Sequence, residues 1–104
     1  MRIFRATVRG QFDGLDEVQQ AALRARADEH DILMSSFSRE GTFIYSPALT
    51  WFNLRYELRS EDEATDEDVE AQAIEMAERR MAADGFGYKR LRVDLMDMAG
   101  VWRD

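Results

Sequence analysis

The chain has no cysteine among its 104 residues. Disulfides, thiolate metal sites and cysteine nucleophiles are therefore excluded, and a reducing compartment fits. Histidine occurs once, as His30, and proline once, as Pro47. A lone histidine cannot supply the pair one helical turn apart that a zinc-binding helix needs. No glycine-rich phosphate loop and no nucleophile elbow is present. No run approaches the roughly 20 apolar residues of a membrane span. The opening Met1-Arg2-Ile3-Phe4-Arg5 has no apolar stretch of signal-peptide length. The expectation is a soluble cytoplasmic protein with no membrane partner.

What is present suits one core. Hydrophobic residues make up 45% of the chain and aromatics 11%, enough to fold without staples. Residues 1–104 read as a single α+β domain, with no repeats or linkers. The formal net charge of -7 repels nucleic acid at long range.

Periodicity supplies the elements. "RIFRATVR" (2–9) alternates, with Phe4, Ala6 and Val8 on one side and Arg5, Thr7 and Arg9 on the other, as a half-buried strand does. Gly10 to Gly14 read as a turn. Asp16 and Gln19 resemble a capping box, opening a helix to about Glu29 with Val18, Ala22, Leu23 and Ala25 inward. "TFIY" is a short strand with Phe43 and Tyr45 on one side. "TWFNLRYELR" (50–59) is the clearest strand, with Phe52, Leu54, Tyr56 and Leu58 on one side. Whether "ILMSSFS" (32–38) adds a further strand is left open by its pattern.

Thr65 and Asp68 form a second capping box, and Asp66 to Asp68 complement the helix dipole. The helix they open turns Val69, Ala73, Met76, Ala77 and Met81 inward. "YKRLRVDL" (88–95) is the last strand, with Leu91, Val93 and Leu95 inward, and Trp102 follows in the tail as a cap for a core edge. The order strand, helix, two or three strands, helix, strand predicts a ferredoxin-like two-layer α+β sandwich. Its mainly antiparallel sheet would have 4–5 strands, with both helices on one face.

"DGFGYKRLRV" (84–93) resembles the glycine-aromatic heart of an RNA-recognition motif. It stands after the second helix, whereas that signature precedes it, and Asp84 replaces the basic residue. A helix cap explains it better. Gly85 takes the left-handed position, Phe86 packs back on Met81, and Gly87 leads into the strand.

Three stretches, "FRATVRGQFDGL" (4–15), "ADEHDIL" (27–33) and "GFGYKRLRV" (85–93), resemble an uncharacterised family of small actinobacterial proteins, a domain of unknown function. Together with the hairpin "REGTFIY" (39–45) they span nearly the whole chain. The resemblance implies an intracellular single-domain protein and carries over no catalytic residue.

Three places carry candidate chemistry. His30, between Glu29 and Asp31, is a candidate general base, set against a histidine merely favoured by a helix C-terminus. Adjacent residues diverge, so His30 with Asp28 and Asp31 makes poor metal geometry, and no metal or cofactor is expected. The acidic run Glu61 to Glu70 lacks the spacing and glycine of a calcium loop and reads as a solvated helix start.

The outward sheet face collects Arg5, Arg9, Arg55, Arg59, Arg90 and Arg92, with Thr7, Trp51 and Asn53 among them. Its candidate ligand-binding set is Arg5, Trp51, Asn53, Arg55, Arg90 and Arg92. The plain alternative is an open face whose arginines pair with Glu57 and Asp94.

The leading functional reading is a non-enzymatic domain that self-associates as a homodimer through its sheet and binds a small anionic or aromatic ligand. An enzyme of the dimeric α+β barrel kind, acting on a small aromatic or polyketide-like substrate, is the rival. Binding of single-stranded nucleic acid stands third, against the net charge.

Overall fold

The computed structural model describes residues 1–26, 37–39 and 41–98. Strand β1 (Arg2–Phe12) is longer than its alternation predicts. Phe4, Ala6 and Val8 are buried and Arg5 and Arg9 exposed, as period two requires. The strand runs on through Gly10, where the sequence pattern predicts a turn. A Cβ at Gly10 would lie 2.5 Å from Cζ of Phe52 and 2.8 Å from Cδ2 of Leu91. This glycine therefore lets a neighbouring ring approach the backbone closely. The turn comes after it, with Gly14 at φ 72°.

Helix α1 (Glu17–Ala25) opens on the expected capping box, Asp16 and Gln19 each bonding the other's backbone N–H. It ends earlier than its pattern predicts and buries a different face. Leu23 is buried, whereas Ala22 and Ala25 are exposed and Val18 is 78% exposed. The inward row is Leu15, Gln19 and Leu23, spaced one turn apart. Leu15 packs on the core, Gln19 Nε2 donates to the Gly85 carbonyl at 2.7 Å, and the Leu23 carbonyl accepts from the Tyr45 hydroxyl. Two polar bonds thus set the helix rotation against a weak alanine stripe. His30 and Trp102 lie outside the described residues, as do 32–36 of the candidate extra strand. Ser38 makes an isolated parallel bridge to Tyr56.

Strands β2 (Thr42–Tyr45) and β3 (Trp51–Ser60) come next. Phe52, Leu54, Tyr56 and Leu58 are buried and alternate with outward residues, as expected. Helix α2 (Asp66–Asp84) begins at the predicted Thr65–Asp68 capping box. Val69, Ala73, Ala77 and Met81 are buried, and Met76 is partly so. Gly85 ends the helix at φ 76°, its N–H donating to Ala82 and that of Phe86 to Met81 at 3.0 Å. This is the Schellman arrangement, with Phe86 packed on the core.

Strand β4 (Tyr88–Asp97) completes, among the described residues, a four-stranded antiparallel sheet of order β2-β3-β1-β4. The fold is α+β. Buried residues of both helices share one hydrophobic cluster with the inward residues of β1, β2 and β3. Arg5, Thr7 and Arg9 project from the sheet's other face, away from that cluster.

Candidate anion-binding face

Antiparallel register lays the outer face out as a grid, because opposed residues point the same way. Trp51, Gln11 and Lys89 form one row across β3, β1 and β4. Asn53, Arg9 and Arg92 form the next, Arg55, Thr7 and Asp94 the third, and Glu57, Arg5 and Met96 the fourth. The sheet face thus changes character along β1, from arginine and amide to a mixed and partly apolar end.

A bulge sharpens the first two rows. Arg9 pairs with Arg92 and Gln11 with Lys89, so Arg90 and Leu91 together stand opposite Gly10. Strict alternation would put either Lys89 or Arg90 on the outer face, not both. The bulge puts Lys89, Arg90 and Arg92 there together while Leu91 packs against the core. Its geometry is strained: Arg90 sits at φ 57°, in the left-handed region that a long side chain rarely takes.

The result is an open depression of about 260 Å³ lined by Arg9, Gln11, Trp51, Asn53, Arg90 and Arg92. Trp51 is 46% exposed there. Arg90 Nη1 donates to Gln11 Oε1 at 3.5 Å, and Arg9 Nε donates to an Asp94 carboxylate oxygen at 2.7 Å. Both partners of that ion pair are more than half exposed, so it contributes at most about 1 kcal/mol. Arg9 and Arg92 face one another directly, an arrangement of like charges that costs stability. No carboxylate lines the depression among the described residues.

Four of the residues singled out from sequence (Trp51, Asn53, Arg90 and Arg92) come together here. Arg5 and Arg55 do not join them. Their guanidinium carbons lie over the Phe37 ring, 5.2 and 5.6 Å from its centroid. Glu57 stands opposite Arg5 in the register. Arg9 and Gln11 belong to the depression but not to the sequence-derived set. Gln11 is hidden when Gly10 is read as a turn, and the closeness of Arg9 to Arg92 depends on β1–β4 pairing. Phe37 belongs to the 32–38 stretch, whose pattern assigns it no face. Tyr88 is on the other side of the sheet, opposite Phe12, with its hydroxyl 3.4 Å from Glu78. Burial and the Glu78 carboxylate both push that hydroxyl's pKa up.

Among the described residues no cluster of histidine and carboxylate side chains could hold a metal ion. No helix among the described residues is long and apolar enough to cross a membrane. No curated protein and no solved structure matches the chain. A family model, that of a family of unknown function (DUF6204), matches residues 1–102. With nearly its whole length covered, the chain belongs to that family of unknown function.

Proposed function

We propose that this protein binds a small anionic ligand on the outer face of its sheet, at the depression framed by Arg9, Arg90 and Arg92. One observation carries the reading. In a protein of net charge -7, three arginines converge on one depression, one of them held in a strained backbone conformation. Guanidinium groups recognise carboxylate and phosphate through paired N–H donors. Asn53 and Gln11 add amide donors, and Trp51 offers an exposed indole for an aromatic portion.

An anion here offsets the repulsion between Arg9 and Arg92. Guanidinium, amide and indole groups offer hydrogen-bond donors and no general base, so the lining suits binding rather than acid–base chemistry. The depression is open and solvated, which favours a binding domain over the barrel-enzyme alternative.

The architecture behind the site is ferredoxin-like. The element order βαββαβ and the sheet order β2-β3-β1-β4 support this, with both helices on the face opposite the arginines. A second reading, self-association through the outer face, draws on Trp51 and on Met96, which is 57% exposed. Sheet-to-sheet contact would bring arginines against arginines, so such a homodimer forms with anions between the faces.

The test is a pyrophosphate titration of the Trp102→Phe protein at low salt, following Trp51 fluorescence. A saturable change is expected, weakened roughly tenfold by Arg92→Ala, the scale of one charge-assisted pair. A flat titration, or one indifferent to Arg92→Ala, would overturn the reading. Single-stranded RNA in the same assay is expected to produce no response.

A further inference from the structure

Resting on the anion-binding reading above, we infer that the ligand is an amphiphile. Its anionic head sits among Arg9, Arg90 and Arg92, and its apolar body lies in a second depression that shares Arg9. The second depression, also of about 260 Å³, is lined by Thr7, Phe37, Leu95 and Met96 together with Arg5, Arg9 and Asp94. It occupies the next rows of the same grid, beyond the Asn53–Arg9–Arg92 row.

Its chemistry differs from that of the first. The Phe37 ring and the exposed Met96 side chain offer apolar contact. Phe37 is held in place, because the guanidinium carbons of Arg5 and Arg55 both lie over its ring. Methionine adapts its shape and suits a site that accommodates a flexible chain. Successive outward residues on a strand are about 6.8 Å apart, so Met96 lies roughly 13 Å along the sheet from the Arg9–Arg92 row. A bare anion or a single ring on Trp51 does not span that distance; a head with an extended apolar body does.

The Arg9–Asp94 pair stands at the junction. Being exposed, it opens at small cost. The ligand head takes the place of Asp94 on Arg9, while the Asp94 carboxylate turns to water. Charge complementarity fixes the sign of the head. The adjoining apolar wall fixes the character of the body attached to it. The occupant is a single amphiphile taken from solution.

Calorimetric titration with methyl phosphate and octyl phosphate, both below micelle-forming concentrations, tests this. Octyl phosphate is expected to bind at least tenfold more tightly. Met96→Ser should remove most of that gain while leaving methyl phosphate unchanged. Val18→Ser, on the exposed face of α1, should change neither. Equal binding of the two phosphates would overturn the amphiphile inference and leave the anion site standing. A gain lost equally in Val18→Ser would also overturn it, by placing the alkyl chain elsewhere. If octyl phosphate bound only when embedded in vesicles, the soluble occupant would be wrong. Binding of neither phosphate would remove the anion site itself.

Discussion

Tyr56 is 1% exposed, and its hydroxyl has no hydrogen-bond partner among the described residues. Such a group has given up water without compensation, a cost of about 1–3 kcal/mol. Tyr56→Phe keeps the ring and removes the cost. It should raise stability by about 1 kcal/mol in denaturant unfolding; a less stable variant would show that the hydroxyl is satisfied. Burial also pushes the Tyr56 pKa up, against a smaller opposing effect of the Arg80 charge. A folded-state pKa above the unfolded value, about 10, adds stability that is complete below that pH. That stability is lost as pH rises through the folded value, so Tyr56→Phe should also lessen alkaline destabilisation.

Gly10 and Arg90, on either side of the bulge, have opposite expectations. Gly10→Ala would drive a methyl into the fully buried Phe52 ring and should cost about 1–3 kcal/mol. Arg90→Gly relieves the left-handed strain and should raise stability by up to about 1 kcal/mol in denaturant unfolding while weakening pyrophosphate binding. Loss of stability would mean that the Arg90 side chain supports the fold rather than the site.

At the scale of elements, both helices owe their starts to reciprocal capping boxes. Thr65→Ala should lower the thermal midpoint by the equivalent of about 1 kcal/mol, with the larger helix losing its N-terminal bond. An unchanged midpoint would assign the start of α2 to packing alone.

These caps were legible because they depend on residues three apart. So were the strand phases, the Gly85 cap and its Phe86 contact, which arise from local chemistry. The rotation of α1 was not legible. It rests on Gln19 reaching Gly85 and on Leu23 meeting Tyr45, contacts between residues distant in the chain. The site was half legible for the same reason. Period two placed the arginines on one face. The β1–β4 register then divided them, gathering Arg9, Arg90 and Arg92 and leaving Arg5 and Arg55 beside Phe37. A bulge that needs Gly10 on one strand and an unusual Arg90 on the other has no single-strand signature.

The whole molecule is electrostatically two-sided. Carboxylates crowd the start of α2, where Asp66, Glu67 and Asp68 are exposed, while the outer sheet face is rich in arginine. An exposed guanidinium site is screened by salt, so anion affinity should fall steeply between about 0.01 and 0.15 M ionic strength. Two outer faces repel one another at low salt. Sedimentation equilibrium should therefore find monomers without polyvalent anions and dimers with pyrophosphate; dimers at low salt without added anion would contradict this bridging.

The most direct measurement is an amide and indole chemical-shift map during pyrophosphate titration. Saturable shifts are expected at Arg9 to Gln11, at Trp51 with its indole N–H, at Asn53, and at Lys89 to Arg92. The acidic start of α2 should remain still. Shifts confined to other surfaces, or no saturable shift at all, would contradict an anion site on the outer face.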